Sequence, residues 1–185
     1  SGNTGIALAM IASLFNVEIE LVMPEDATRE RVLTMQAFGA KVVLTPKEGS
    51  MEAAIDYARN KVASGGYLML NQFDNPDNAA MHYKTTGPEI WRDTQGTVTH
   101  FVSAMGTTGT IMGVSKFLKE QNSKVEIAGC QPGDGSHIPG IRKWPEAYLP
   151  KIFNRQMLDH VIEVNEADAR IMAKRLAKEE AIFSG

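Results

Sequence analysis

One cysteine, two tryptophans and four histidines are few for 185 residues, and each scarcity closes off a class of protein. A lone Cys130 cannot build an intrachain disulfide framework, so a disulfide-stapled secreted scaffold is excluded and a reducing cytoplasmic setting is expected. Cys130 lies in the apolar run Val125 to Cys130, where a buried structural thiol is expected rather than a nucleophile. His82, His100, His137 and His160 are far apart, and none falls in an HExxH or CxxC-type spacing, so no metal site is expected. No apolar run approaches the roughly 20 residues that span a bilayer, and the N-terminus shows no signal-peptide pattern, so no membrane partner is expected. Basic charge is not in excess either. The 19 Lys and Arg are interspersed with 22 Asp and Glu, for a formal charge of −3. Nothing in that pattern forms the basic stripe that tracks a phosphate backbone, and nucleic acid is not an expected partner.

What is present is a chain that is 43% hydrophobic, enough to bury a substantial core. Short apolar runs alternate with stretches of helical period. Strands are predicted at Glu18 to Met23, Lys41 to Leu44, Tyr67 to Leu70, Thr97 to Ser103, Val125 to Cys130 and His160 to Val164. Helices are predicted at Thr4 to Leu14, Thr28 to Phe38, Met51 to Ala63, Thr110 to Glu120 and Glu166 to Ala177. Thr28, Ser50 and Asn165 stand where N-caps are wanted, and Gly39 and Gly65 where a left-handed C-terminal residue is wanted. This is the βαβ rhythm of an α/β fold with parallel sheets. The shift to Asn75-Pro76-Asp77-Asn78 marks the expected crossing between two lobes, residues 1–76 and 77–185. Both ends look incomplete: Ser1-Gly2-Asn3-Thr4-Gly5 is a βα-type loop with no strand before it, and Phe183-Ser184-Gly185 reads as the entry to a further element.

Two loops carry chemistry. Between His100 and Lys119 the order is strand, glycine-threonine loop, helix, which aims backbone N–H groups and the positive end of a helix dipole at an anion. Gly106, Thr107, Thr108, Gly109 and Thr110 form that loop; glycines admit close approach and threonines add hydroxyl donors. The sequence is neither GxxxxGK[ST] nor GxGxxG, which removes support for ATP hydrolysis and dinucleotide binding. The same residues also suit a tight βα turn with no ligand. Ser1 to Gly5 is the second loop, able to bind a carboxylate through hydroxyl, amide and backbone donors, or simply to cap the helix that follows. Gln72 falls beyond the predicted Tyr67 to Leu70 strand, at the end of a sheet where α/β proteins place ligands.

In order and spacing, Ser1-Gly2-Asn3-Thr4-Gly5, Asn71-Gln72-Phe73, Thr85-Thr86-Gly87-Pro88-Glu89-Ile90-Trp91 and Gly106-Thr107-Thr108-Gly109-Thr110 resemble the cysteine synthase (O-acetylserine sulfhydrylase) group of fold-type-II pyridoxal-phosphate enzymes. The likeness covers essentially the whole chain. Ser136-His137-Ile138-Pro139-Gly140-Ile141-Arg142-Lys143-Trp144-Pro145, with Tyr148-Leu149-Pro150, is similar to the isoform B branch. The resemblance implies a three-layer α/β/α arrangement of parallel sheets in two lobes, like the tryptophan synthase β fold, here an internal part of a longer protein.

It also implies site roles. Asn3 would hydrogen-bond the ring oxygen of pyridoxal phosphate, and Gly106, Thr107, Thr108, Gly109 and Thr110 would hold its phosphate. Ser1, Thr4 and Gln72 would grip the substrate carboxylate. Arg142 would line the mouth, where a solvated loop arginine is the competing reading. The implied reaction is β-replacement, in which O-acetylserine and sulfide or thiosulfate give cysteine or S-sulfocysteine and acetate, in a cytoplasmic homodimer. The lysine that the family joins to the cofactor is expected upstream of Ser1, and the serine facing the pyridine nitrogen downstream of Gly185. Neither Lys84 nor Lys116 substitutes, each reading as a solvated cation. The chain alone is therefore expected to be inactive and to hold the cofactor weakly. Residues 17–62 would form a small mobile subdomain that closes over the substrate. Two other readings stand beside this one: a serine or threonine dehydratase or cystathionine β-synthase, and a non-catalytic phosphate-ligand-binding domain.

Overall fold

A computed structural model describes residues 2–184 of the chain, which divides into two compact units, Ser1–Leu70 and Asn71–Gly185. In the first, α1 (Gly2–Leu14) precedes β1 (Glu20–Pro24), α2 (Arg29–Ala37), β2 (Lys41–Thr45) and α3 (Ser50–Ala63). The strands pair in parallel, Leu21 opposite Val42, so the connection between them must cross over, and α2 makes that crossover. One face of the pair carries the core: Ala9 of α1, Met23 of β1, Met35 of α2 and Ala40 are buried together, flanked by Ile6, Leu21, Val32 and Val42. The third helix packs on both strands and buries Met51, Ala54 and Ile55.

The exit from α2 shows how local chemistry fixes this unit. Gly39 has φ +85; its N–H donates to Gln36 O at 2.9 Å while Ala40 N donates to Met35 O at 3.1 Å. That pair of bonds is the Schellman closure, which needs a left-handed residue and so favours glycine. It turns the chain directly into β2. At that same end, where both strands begin, the Glu20 carboxylate meets Lys41 at 2.9 Å and Lys61 at 3.5 Å. The hydrogen bond from Lys41 holds that carboxyl below its ordinary range.

The second unit runs α4 (Pro76–Lys84), α5 (Thr86–Asp93), β3 (His100–Ala104), α6 (Gly109–Gln121), β4 (Glu126–Pro132), β5 (His160–Val164) and α7 (Glu166–Glu180). Its three strands are parallel in the order β3-β4-β5. Helix α6 supplies the core from Ile111, Met112, Val114 and Leu118, packed with Val125, Ile127 and Leu158 and against Ile90 and Trp91 of α5. Asp159 pins the sheet below β4: its carboxylate accepts from Ile127 N at 2.7 Å and from Lys119 Nζ at 2.8 Å. Asn165 caps α7, accepting from Asp168 N at 2.7 Å.

Several sequence expectations change. Tyr67 to Leu70 is not a strand: no partner strand lies beside it among the described residues, and Leu68 is 87% exposed. A strand exists through its ladder, and apolar, β-prone composition alone does not supply the neighbouring strand that a ladder needs. Asn75 to Asn78, expected to mark the crossing between two lobes, opens a helix: Asn75 caps α4 by accepting from Asp77 N at 2.9 Å, with Pro76 in the first turn. Thr86 to Asp93 is also helical, its Pro88 tolerated because it sits in the first turn, where no intrahelical donor is needed. The N-cap of α3 is Gly49, with Ser50 the first helical residue, and Thr28 stands at the N-cap of α2 without a side-chain cap bond.

Candidate functional site

The glycine-threonine loop follows β3 directly. Met105 N donates to Cys130 O at 2.8 Å, carrying the parallel ladder one step past the strand before the chain turns. Thr108 takes a left-handed conformation, φ +69, as the N-cap of the 13-residue α6. A β-branched residue there is strained, and such strain persists only where surroundings enforce it. Thr108 is buried, and its hydroxyl oxygen has no hydrogen-bond partner. An orphaned hydroxyl at the positive end of a helix, beside the first-turn N–H groups that have no intrahelical acceptor, suits an anion.

The neighbouring threonines are already engaged. Thr107 Oγ1 accepts from Asn78 Nδ2 at 3.1 Å and, weakly, from Gly109 N at 3.4 Å. Thr110 Oγ1 lies 3.1 Å from His82 Nε2, and His82 Nδ1 lies 2.9 Å from Thr86 Oγ1. Burial pushes the His82 pKa down, so at neutral pH the ring is uncharged, with one nitrogen donating and the other accepting. A chain of hydroxyl, imidazole and hydroxyl thus runs from α5 through α4 to the loop.

The glycines make room for protein. A Cβ on Gly109 would meet the Asn78 side-chain amide, 2.8 Å from Nδ2 and closer still to Oδ1; one on Gly106 would stand 2.8 Å from Gly140 O. One on Gly113 would run into the backbone of α4. So the loop is shaped by close approach of α4 and of the segment after β4.

That segment is strapped across the loop. Arg142 N donates to Met105 O at 2.8 Å, and the Trp144 indole N–H donates to Gly106 O at 2.7 Å. The Trp144 ring also meets Phe73 edge-on, 5.3 Å between centroids, and the Arg142 guanidinium lies 5.8 Å from it. Lys143 bridges Asp134 and Glu163, each at 2.7 Å. Those hydrogen bonds push its pKa up to about 12. Gly133, Ser136, His137, Ile141, Arg142 and Lys143 help line a cavity of about 240 Å³.

Gln72 does not end a strand. It sits in a turn begun by Asn71, φ +45, and its carbonyl accepts from Asn78 Nδ2 at 2.7 Å. Gln72, Arg142 and the Gly106 to Thr110 loop thus all belong to the second unit. Asn3 and Thr4 belong to the first, in the opening turn of α1, Asn3 exposed and Thr4 half-buried. Ser1 lies outside the described residues. Lys84 is exposed at the end of α4, and Lys116 lies over the Tyr83 ring at 5.1 Å. Cys130 is half-buried, and burial pushes its thiol up, away from the reactive thiolate.

Asn78, His82, Thr86 and Trp144 were not singled out as site residues from the sequence. One usable signal existed. Asn-Pro-Asp is a helix-start pattern, and a helix from Pro76 places Asn78 and His82 four residues apart, on one face.

Comparison with known proteins follows the same lines. The family model described as pyridoxal-phosphate dependent enzyme matches residues 1–185. "Cysteine synthase B" of Pseudomonas aeruginosa is 52% identical over 185 residues, all of this chain and 62% of that protein. The protein of the same name from Salmonella typhimurium is 53% identical, covering all of this chain and 61% of that one. Among solved structures, a cysteine synthase from Entamoeba histolytica superposes with a TM-score of 0.87 at 36% identity, over 98% of this chain and 56% of that one. An O-ureido-L-serine synthase gives 0.88 at 33% identity, over 100% and 61%. The chain spans about three-fifths of the length of the curated relatives it matches.

Proposed function

The chain belongs to the pyridoxal-phosphate dependent enzyme family, and from that membership we propose that the protein containing it is a cysteine synthase that replaces the acetate of O-acetylserine with sulfide or thiosulfate. The observation that carries the reading is the left-handed Thr108, its buried hydroxyl unpartnered at the start of α6. That arrangement fits the phosphate of pyridoxal 5′-phosphate, and the relatives named cysteine synthase B support the reaction class.

When bound, the cofactor supplies an electron sink that lets a bond to the substrate's β-carbon break. The chain's own residues hold and orient. Gly106, Thr107, Thr108, Gly109 and Thr110 seat the phosphate through first-turn N–H groups and hydroxyls, with the helix dipole favouring its charge. Asn3 donates to the ring oxygen. Ser1, Thr4 and Gln72 hold the substrate carboxylate, fixing which β-substituent leaves and where the sulfur nucleophile must arrive. Arg142, on the strap beside the loop, offers a cation to an anionic sulfur donor at the mouth.

Residues 17–62 act as a mobile subdomain that shuts water out during the reaction, and the protein works as a cytoplasmic homodimer. The sole cysteine supports a reducing compartment, and no helix among the described residues is long and apolar enough to cross a membrane. The test is a product assay on full-length protein, supplying O-acetylserine with sulfide in one arm and serine in the other. Cysteine from the first arm is expected, and pyruvate from serine with no cysteine would contradict the reading.

A further inference from the structure

We propose that Asn78 is a positioning residue, whose single side-chain amide ties the substrate-binding turn at Gln72 to the cofactor-phosphate loop at Thr107. The inference rests on the cysteine synthase reading above. Asn78 Nδ2 donates to Gln72 O at 2.7 Å and to Thr107 Oγ1 at 3.1 Å. An amide nitrogen has two protons, and these two acceptors use both. Its Oδ1 fills the space that the absent side chain of Gly109 leaves, so the glycine in the loop admits Asn78 instead of leaving a gap for the ligand.

The backbone around Asn78 is held in place. It lies in the first turn of α4, which Asn75 caps, and its own N–H donates to Asn75 O at 3.2 Å. The turn carrying Gln72 is braced separately, Asn71 Nδ2 donating to Asp74 Oδ2 at 3.0 Å. Four residues further along α4, His82 holds Thr110. One helix therefore fixes the loop at two threonines while fixing Gln72 at its carbonyl, and of its two tethers the one at Asn78 hydrogen-bonds both the turn and the loop. Thr107 accepts from Asn78, which leaves its own hydroxyl proton free to point at the phosphate.

Aspartate is close in shape to asparagine but only accepts, so Asn78→Asp removes both donations and sets a carboxylate against Gln72 O and beside the phosphate seat. In the full-length protein, titration of apoprotein with pyridoxal 5′-phosphate should show Kd raised about tenfold or more. The KM for O-acetylserine should rise by a similar factor, about tenfold, with kcat changed less, since Gln72 serves binding. Asn78→Ala should shift both constants in the same direction without the added charge. Unchanged Kd and KM in both variants would overturn the role of Asn78 while leaving the enzyme's identity intact. A lowered urea midpoint with unchanged constants, or loss of the fold in both variants, would also overturn it, making Asn78 structural only. A wild-type protein that binds no pyridoxal phosphate, or forms no cysteine, would instead refute the cysteine synthase reading.

Discussion

Gly113→Ala separates two physical effects of opposite sign. In an isolated helix the change is favourable by about 1 kcal/mol, because alanine loses less backbone entropy on becoming helical. In α6 the added methyl would run into the Ala79 carbonyl oxygen and stand 2.7 Å from His82 Cβ and 2.8 Å from Tyr83 N. Two of those three atoms are backbone of α4, so no rotamer change relieves them and the helices must part. Overpacking of that kind costs about 1–3 kcal/mol, and the contact is too short for the low end. We therefore expect a net loss of about 2 kcal/mol, the propensity gain offsetting only part of the strain. Urea denaturation of the full-length apoprotein, followed by far-ultraviolet circular dichroism, reads the difference. Gly133→Ala is the control: its nearest contacts would be ordinary ones at 3.8 Å, and it should stay within about 0.5 kcal/mol of wild type. A Gly113→Ala protein as stable as wild type, or more so, would refute the close packing of α4 on α6 and with it the shaping of the loop by α4.

Leu118→Ala removes a fully buried side chain from the core of the second unit and should cost about 2–5 kcal/mol by denaturation. Trp144→Phe keeps the ring but leaves Gly106 O without its 2.7 Å donor; the urea midpoint should fall by the equivalent of about 1 kcal/mol, and cofactor affinity should fall with it. Asp159 makes a pH-dependent contribution. Its carboxyl is held low, first by the hydrogen bond from Lys119 and then by that from Ile127 N. Its stabilisation is therefore present above the unfolded value of about 3.9 and is lost as pH falls through the lower folded value. Asp159→Asn should weaken the protein at pH 7 and flatten the acid limb of its stability curve, and an unaltered limb would assign acid sensitivity elsewhere.

Much of this fold was written in local pattern. The five paired strands fall where apolar runs stand between turn residues, and Gly39, Gly65 and Asn165 punctuate as their chemistry requires. The failures have physical causes. Tyr67 to Leu70 has the composition of a strand, but composition does not report whether a partner lies alongside. Helices α4 and α5 were hidden by Asn75-Pro76 and Gly87-Pro88, since proline inside a helix start resembles proline in a loop until the cap is recognised. The anion loop could be read because hydroxyls, glycines and a following helix are contiguous. The contacts that hold it could not, because Asn78, His82 and Trp144 reach it from 29, 28 and 38 positions away in sequence. Gly109 illustrates the limit: sequence shows that a side chain is absent, and only packing shows that Asn78 occupies the space.

Thr108→Val in the full-length protein, titrated with pyridoxal 5′-phosphate and in parallel with pyridoxal lacking the phosphate, tests the central claim most directly. The substitution keeps the shape and removes an unpartnered buried hydroxyl, so apoprotein should be unchanged or more stable by up to about 1–3 kcal/mol. Affinity for pyridoxal 5′-phosphate should fall about tenfold or more, while affinity for pyridoxal stays where it was. Equal losses for both ligands, or none for either, would contradict the assignment of this loop as the seat of the cofactor's phosphate.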